Sequence, residues 1–414
     1  MAHSTLRRAP RAAAALVAFA AFVALGGCYR SHEREVASDA GPPPDSGRCG
    51  PPPPGCLAPG ADACAAPVLV AARCDDPSGA YFCPTGSRAY EREAPDAECL
   101  PFSDPALGLA AVGGSLVRVP TPDGRCLWIA ESVTMADGRT ASNVAFEVPR
   151  DAPIGRCPRV AAPLGGDLHD VVSLLGDDGT HLVQLTGGFT QAGGTWAVYR
   201  LFVYDAASGY GVRVVGTGLA AWNAATETFR LPPTTGAIWS PEVDLGDALY
   251  TDGDTMYVWG CPPPIVDLVE RCLVARVGPA GGTVYWSTAG WTPAWLGERT
   301  GFDAGPWISS VTRLDPGYAA VSAIGFGADL RVSRTTALTS GWSAARNVAH
   351  CRLPSGDPDA FCAGPVVHDE LRDPLRPHEL PVTYGVGTTA PDGAARRAAH
   401  PRDYWSRLDY VAVP

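Results

Sequence analysis

The stretch "LYTDGDTMYVWGC", Leu249 to Cys261, has two candidate structures. Asp252, Gly253 and Asp254 could supply ligands to a calcium ion, because carboxylate oxygens are ligands that Ca²⁺ prefers. Alternatively, Asp252-Gly253 is the tight turn of a β-hairpin, since Asp-Gly favours such turns. The Asp-x-Asp-x-Asp-Gly spacing of a calcium loop is missing. The prediction is therefore a hairpin whose second strand covers Thr255 to Cys261.

The same order of turn and strand recurs along the chain, at intervals of roughly 55 to 75 residues. Helical periodicity is almost absent. The pattern predicts an all-β, five-bladed β-propeller over residues 105–414, with a jelly roll or multi-sheet sandwich as the alternative. The other repeated strands are "CLWIAES" (Cys126–Ser132) after Asp123-Gly124, "HLVQLTGG" (His181–Gly188) after Asp178-Gly179, "YAAVSAIG" (Tyr318–Gly325) after Asp315-Pro316-Gly317, and "ELPVTYGVG" (Glu379–Gly387) without an Asp-Gly.

Residues 1–27 have the pattern of an export signal. Arg7, Arg8 and Arg11 precede an apolar run, Ala12–Leu25, that is too short to span a bilayer stably. The run ends in Leu25-Gly26-Gly27-Cys28, which resembles the lipobox of bacterial lipoproteins. That resemblance implies cleavage before Cys28 and lipidation of Cys28; an ordinary secretory signal with a chance cysteine is the alternative. We expect an exported protein, lipid-anchored at the bacterial cell envelope, at the outer membrane or cell surface.

Two further segments separate the signal from the propeller. Residues 28–48 are polar and proline-rich, which predicts a flexible tether. Residues 49–104 hold six cysteines and predict a small disulfide-stapled segment whose pairing the sequence leaves open. The chain has 13 cysteines, so an even number remains when Cys28 is set aside. Full pairing is the prediction, and a few free buried thiols are the alternative.

Composition excludes several classes of function. Every one of the 32 basic residues is arginine, so Schiff-base and P-loop lysine chemistry are excluded. A net charge of −11 without a basic cluster argues against nucleic acid as a partner. No zinc-site spacing or cofactor-binding motif is present in the sequence, so we expect no metal and no cofactor. A monomer that meets the membrane only through its lipid anchor is the expectation.

Four stretches resemble a known group of propellers. They are "WISSVTRLDPGYAAVSAIG" (Trp307–Gly325), "HDEL" (His368–Leu371), "ELPVTYGVG" and "DYWSRLDYVAVP" (Asp403–Pro414). They are similar to the last two blades of five-bladed propellers related to arabinanases and fructosidases. The nearest likeness is to a bacterial family catalogued as a domain of unknown function, some members of which cleave D-arabinan. The resemblance covers about Leu107 to Pro414 and implies a glycoside hydrolase acting on furanoside glycans.

The resemblance also implies catalytic carboxylates on inner strands, because glycoside hydrolysis uses two carboxyl groups. Glu131 stands where the family's first blade carries an aspartate, and the longer side chain is a departure from that pattern. Asp170, with His169 beside it, opens the second blade. Glu242 and Asp244 open the third, on one face of a strand. For each of these residues, a solvated carboxylate or polar loop is the alternative.

Aromatic and histidine side chains supply candidates for substrate binding. Trp291 and Trp295 in "GWTPAWLG" lie in an expected connection between blades three and four, where exposed indoles would stack on sugar rings. His368 is a further candidate, with a role in tying blade four to blade five as its alternative. Trp128 and Trp259 sit inside repeated strands and are expected in the core.

Six cysteines of the propeller are candidates for disulfides. Cys261 with Cys272, and Cys351 with Cys362, each flank ten residues, so each pair would close a loop and contribute roughly 3 kcal/mol. Cys126 and Cys157 are expected to pair within blade one. The two competing functions are a surface-anchored glycoside hydrolase with paired carboxylates and a non-catalytic propeller that binds a glycan or an envelope protein.

Overall fold

The computed structural model describes part of the chain: residues 56–58, 64–70, 98–148, 157–172, 181–191, 193–205, 212–231, 239, 243, 245–261, 272–278, 282–295, 308–323 and 326–414. Residues 47–414 belong to one compact unit. The expected signal, Cys28 and the tether lie outside the described residues. No helix in the described ranges is long and apolar enough to cross a bilayer.

Five antiparallel sheets of three to five strands form a five-bladed β-propeller. Blade one contains β3 (Leu109–Pro120), β4 (Cys126–Met135) and β5 (Thr140–Glu147). Blade two contains β6 (His181–Gln191), β7 (Gly194–Tyr204), β8 (Val212–Asn223) and β9 (Thr228–Arg230). Blade three contains β10 (Ala248–Asp252), β11 (Thr255–Gly260), β12 (Leu273–Val277), β13 (Thr283–Ser287) and β14 (Gly290–Thr292). Blade four contains β15 (Ile308–Arg313), β16 (Tyr318–Ala323), β17 (Asp329–Thr335) and β18 (Arg346–His350). Blade five contains β19 (Ala360–Val367), β20 (Glu379–Thr388) and β21 (Arg407–Ala412).

The first strand of each sheet lies nearest the centre, where β3, β6, β10, β15 and β19 contact one another in a closed ring. A separate hydrophobic cluster fills each of the five junctions between neighbouring blades. Trp128 and Trp259 are fully buried in two of these clusters, as predicted. Burial of such large apolar side chains between sheets is the main term that stabilises a propeller.

The Asp252-Gly253 turn is confirmed as a hairpin. Asp252 pairs with Thr255 across the turn, and Gly253 has a φ of 56°, a conformation that glycine adopts without strain. Among the described residues, no group of three or more His, Cys, Asp or Glu side chains is placed to hold a metal ion. The repeated strand is second in its blade everywhere except blade two. There, the preceding segment pairs through Val172 with Phe229 of the outermost strand, and β6 takes the inner position.

The N-terminal segment completes the ring. A short antiparallel bridge joins Cys99 to Leu408 of β21, so residues near Cys99 extend the last blade. A short hairpin of β1 (Cys56–Ala58) and β2 (Val68–Val70) precedes it. The remaining regular elements are helix α1 (Gly393–Ala399) and 3-10 turns at Pro105–Leu107, Leu164–Gly166, Asp369–Leu371 and Pro401–Tyr404.

The disulfides confirm two predicted pairs and correct a third. Cys261–Cys272 and Cys351–Cys362 are bonded as expected. The expected Cys126–Cys157 bond is wrong. Cys126 is bonded to Cys64, and Cys157 to Cys99, because the N-terminal segment packs against blade one and brings its own cysteines to both partners.

Candidate functional site

A cavity of about 250 Å³ lies where the C-terminal halves of the innermost strands meet. All five blades contribute to its wall, so it occupies one end of the centre of the propeller. Concave sites at such convergence points are where small ligands commonly bind. The polar residues of the wall are Arg118, Thr186, Thr190, Tyr250, Thr251, Ser310, Thr312, Arg313, Asp369 and Arg372.

Two adjacent glycines allow the strands to crowd around this cavity. A Cβ on Gly187 would lie 2.9 Å from Leu249 of the next blade, and a Cβ on Gly188 would overlap Val119 of the previous one. Real side chains do not approach so closely, so β6 requires glycine on both sides of the ring. The "TGG" that ends the predicted strand is therefore a packing requirement of the central ring.

Asp369 is the centre of a charged network on the cavity wall. Its Oδ2 is 2.8 Å from Nη2 of Arg118, and its Oδ1 is 2.7 Å from Nη2 of Arg372. Thr312 Oγ1 donates a third hydrogen bond to Oδ1 over 2.7 Å. Burial alone would raise the pKa of the Asp369 carboxyl, but the two guanidiniums outweigh it and lower that pKa below its usual range. Asp369 is thus held as a carboxylate whose oxygens already have partners.

A buried layer behind Asp369 fixes its position. The Oε1 atom of Glu370 accepts a hydrogen bond from Trp128 Nε1 over 2.7 Å and lies 2.8 Å from Nδ1 of His368. The other ring nitrogen of His368 is 2.7 Å from Thr383 Oγ1, and its ring lies tilted against Trp128 with the two centroids 4.2 Å apart. His368 is fully buried and absent from the lining of the described cavity, and its contacts join blade five to blade one. Its role in substrate binding stays a prediction.

Arg313 and Tyr250 form a further part of the wall, and Tyr318 packs against both. Arg313 is exposed, with its guanidinium 5.1 Å from the ring centroid of Tyr318 and Nη1 donating to the Tyr318 hydroxyl over 3.2 Å. Tyr250 packs edge-on against Tyr318 at 5.4 Å. Burial raises the pKa of Tyr250 to about 12, so its hydroxyl is neutral and able to donate a hydrogen bond.

The N-terminal segment supplies the last part of the wall. Cys64, Ala65 and Ala66 line the cavity beside Arg118, whose Nη1 donates to the Cys64 carbonyl over 2.7 Å. The Cys64–Cys126 disulfide holds this segment against the start of β4. The cavity is therefore formed jointly by the propeller and by residues that the sequence assigned to a separate stapled segment.

Glu131 lies elsewhere, at the junction of blades one and two. Ser115 donates its backbone N–H to Oε2 over 3.1 Å, and the Gln184 amide donates to Oε1. Burial raises the pKa of the Glu131 carboxyl more than these hydrogen bonds lower it. Gly114 packs directly against the Glu131 side chain, where a Cβ would overlap the carboxylate. Glu131 is absent from the lining of the described cavity, and its catalytic role stays a prediction.

Asp170, the other predicted carboxylate that the structure describes, does not line the cavity. Asp170 accepts a hydrogen bond from the backbone of Ser142 in β5 over 2.5 Å, and the His169 ring contacts the carbonyl of Asp167. Both residues belong to the connection that runs beside the outer strands of blades one and two, away from the central ring. Glu242 and Asp244 lie outside the described residues. Of the predicted carboxylates, the structure describes only Glu131 and Asp170, and it does not bring these two together.

Trp291 and Trp295, the predicted aromatic platform, lie away from the central cavity. Trp291 lies in β14, the strand of blade three farthest from the centre, because "GWT" forms a fifth strand where a connection was predicted. Its indole packs on Trp286, with the Arg276 guanidinium 4.0 Å from its ring centroid. Trp295 follows and is partly buried at the junction of blades two and three. Neither indole lines the central cavity.

Sequence reasoning missed the arginines of the cavity. Arg118 and Asp369 are 251 residues apart, and neither belongs to a motif with a fixed internal spacing. The motif "HDEL" contains Asp369 and Glu370, but the sequence analysis selected only its His368 as a candidate.

No model of a protein family matches the sequence, and no curated protein sequence matches it either. Solved structures do resemble it. A protein of Bacteroides ovatus ATCC 8483, provisionally described as a hydrolase, is similar with a TM-score of 0.52 and 12% identity over 74% of this chain and 88% of the other. At that identity the likeness concerns the fold alone.

Two glycoside hydrolases are looser matches. The GH43_1 enzyme of Xanthomonas citri, solved with xylotriose, has a TM-score of 0.44 and 12% identity over 77% of this chain and 92% of the other. The GH32 β-fructofuranosidase of Bombyx mori, a mutant solved with sucrose, has a TM-score of 0.42 and 11% identity over 76% and 62%.

Proposed function

We propose that the central cavity is a carbohydrate-binding site and that the protein binds a glycan there without cleaving it. The observation that carries this proposal is the state of Asp369, the one carboxylate side chain among the described residues of the cavity wall. Glycoside hydrolysis needs two carboxyl groups, one of which begins as an acid. Asp369 has a lowered pKa, and both of its carboxylate oxygens accept hydrogen bonds from Arg118, Arg372 and Thr312. It is therefore unsuited to act as the general acid.

The chemistry of the wall supports a sugar as the ligand. Thr190, Thr251 and the neutral Tyr250 line the cavity, and hydroxyl groups of this kind match the alternating donors and acceptors of a sugar ring. Thr186 and Thr312 also belong to the wall, but their hydroxyls already donate to Gly246 and Asp369. The volume of about 250 Å³ is near the lower end for ligand pockets, which favours one or two sugar units over a long chain. The resemblance of the sequence to arabinanase-related propellers points to the same class.

The proposal places this binding outside the cytoplasm, at the cell envelope, through a lipid on Cys28. Four disulfides among the described residues support export, because such bonds persist in oxidising compartments. Cys28→Ser tests the anchor: we expect the variant to move from the membrane fraction to the soluble fraction. Unchanged fractionation would contradict lipid anchoring.

Binding and cleavage are separated by one experiment on the full chain. A panel of neutral and acidic glycans is measured for binding by calorimetry and for release of reducing ends. We expect binding without release, and we expect Arg372→Gln to weaken binding at least tenfold because it removes a cavity donor and frees Asp369. Arg139→Gln, in an exposed turn, is the matched control and should leave binding unchanged. Steady release of sugar would overturn the proposal.

Hydrolysis remains the second candidate because of Glu131. A partly buried carboxyl with a raised pKa suits a general acid, and Glu131 lies between two blades beside Gln184. If the chain releases sugar and Glu131→Gln abolishes the release while binding persists, Glu131 is the acid and the binding-only function is wrong.

A further inference from the structure

Three arginines surround the cavity: Arg118 on β3, Arg313 on β15 and Arg372 after β19. Two carboxylates oppose them. Asp369 contacts Arg118 and Arg372, and the buried Glu370 lies 3.6 Å behind Arg118. Among the described residues that line the cavity, three guanidiniums thus face one carboxylate, although the whole chain carries a net charge of −11. Glu370 and Asp252, whose charge acts on Tyr250, lie outside that lining.

Arg313 carries the excess charge. Its guanidinium is placed by the ring and hydroxyl of Tyr318, and its backbone carbonyl accepts a hydrogen bond from Arg372 Nη1 over 2.6 Å. No carboxylate within the described ranges forms an ion pair with Arg313. A guanidinium placed by an aromatic ring loses little conformational entropy when it binds an anion, and its planar fork matches a carboxylate.

We propose that the cavity selects a sugar unit that carries a carboxylate, a uronate, with the carboxylate bound to Arg313 and the hydroxyls facing the threonines. This inference rests on the proposed function that the cavity binds a glycan. Because the whole chain is negatively charged, we expect selectivity to depend on direct contact within the site and not on long-range attraction.

The test compares D-galacturonate with D-galactose, and D-glucuronate with D-glucose, by calorimetry on the full chain, with acetate as a third probe. We expect one uronate to bind at least tenfold more tightly than its neutral counterpart, and acetate more weakly than that uronate. Arg313→Gln should abolish the preference, and Arg313→Lys should keep part of it because the charge remains. Arg346→Gln, an exposed arginine on the outer strand β18, is the matched control for the lost charge.

The outcomes separate the two proposals. Equal affinity for a uronate and its neutral counterpart overturns the inference and leaves glycan binding intact. Acetate binding as tightly as the uronate also overturns it, because the ligand is then a free carboxylate and not a sugar. Binding of other neutral glycans but neither uronate overturns the inference alone. Failure of the whole glycan panel overturns the proposed function as well.

Discussion

The junction of blades five and one differs from the rest of the ring in how its contacts are made. Its disulfides, Cys64–Cys126 and Cys99–Cys157, join residues 62 and 58 positions apart, and the Arg118–Asp369 pair spans 251. In blade three and between blades four and five, Cys261–Cys272 and Cys351–Cys362 each span 11. Distant parts of the sequence assemble the cavity, whereas local hairpin geometry builds the loops elsewhere.

The difference teaches which bonds serve the site. A short-range disulfide closes a loop of ten residues, and it adds little beyond stability. A long-range disulfide holds together segments that have few other reasons to meet. We therefore expect removal of a long-range bond to cost modestly more stability than removal of a short-range one. Only removal of Cys64–Cys126, whose segment lines the cavity, should also weaken binding.

The largest effect is expected from Cys64→Ala with Cys126→Ala. Losing the loop closure lowers the free energy of unfolding by about 4 kcal/mol in the chain-entropy model. Ligand binding should also fall, because Cys64, Ala65 and Ala66 leave the cavity wall. Urea denaturation and calorimetry measure the two effects.

The matched control is Cys99→Ala with Cys157→Ala, which opens a loop of similar length but leaves the wall in place. We expect a similar loss of stability with binding retained. Equal loss of binding in both double variants would show that the cavity does not depend on the segment at Cys64.

Next in size is Cys351→Ala with Cys362→Ala. The shorter loop predicts a loss of about 3 kcal/mol in the free energy of unfolding, with ligand affinity unchanged. The same denaturation and binding measurements apply. A drop in affinity comparable to that of the Cys64 and Cys126 variant would show that the disulfide between blades four and five matters as much for binding as the one at the cavity.

Asp369→Asn is expected to cost about 2 kcal/mol, since the pair with Arg118 and Arg372 is mostly but not fully buried. The lowered pKa fixes the sign of the pH dependence. The contribution of the carboxylate is complete above its unfolded-state pKa of about 3.8 and is lost as the pH falls through the lower folded-state value. The variant should therefore lose less stability than the wild type on acidification. Asp137→Asn, in an exposed turn, should change nothing measurable.

The smallest effect is expected at Glu131, which makes its contacts within blades one and two. Its raised pKa means that stability is lost as the pH rises from about 4.5 through the folded-state pKa. Glu131→Gln keeps the acceptor for Ser115, and the new amide can donate to Gln184 once the Gln184 amide flips. We expect a gain of about 1 kcal/mol at neutral pH and a flatter profile. A variant whose profile parallels that of the wild type contradicts this, and Glu147→Gln is the control.

Local signals were enough to predict the blades. Asp252-Gly253 marks a hairpin because the turn residues and the strand that follows are close in the sequence. The two short disulfides are likewise local, since each joins cysteines 11 positions apart. The partner of Cys126 could not be predicted in this way, because a disulfide has the same chemistry whatever the number of residues between its two cysteines. The ion pair of Arg118 and Asp369 could not be predicted from the sequence for a related reason. An ion pair depends on where β3 and the end of β19 meet, and neither residue carries a periodic pattern.

The Cys64–Cys126 bond also has a mechanical consequence. Tension applied to the chain ahead of residue 64 passes through that covalent link to the start of β4. Ala65 and Ala66 follow directly after the link, inside the bypassed loop, and so carry none of the load. A protein pulled from its N-terminal side would keep this part of its cavity wall unstretched until the disulfide itself is reduced.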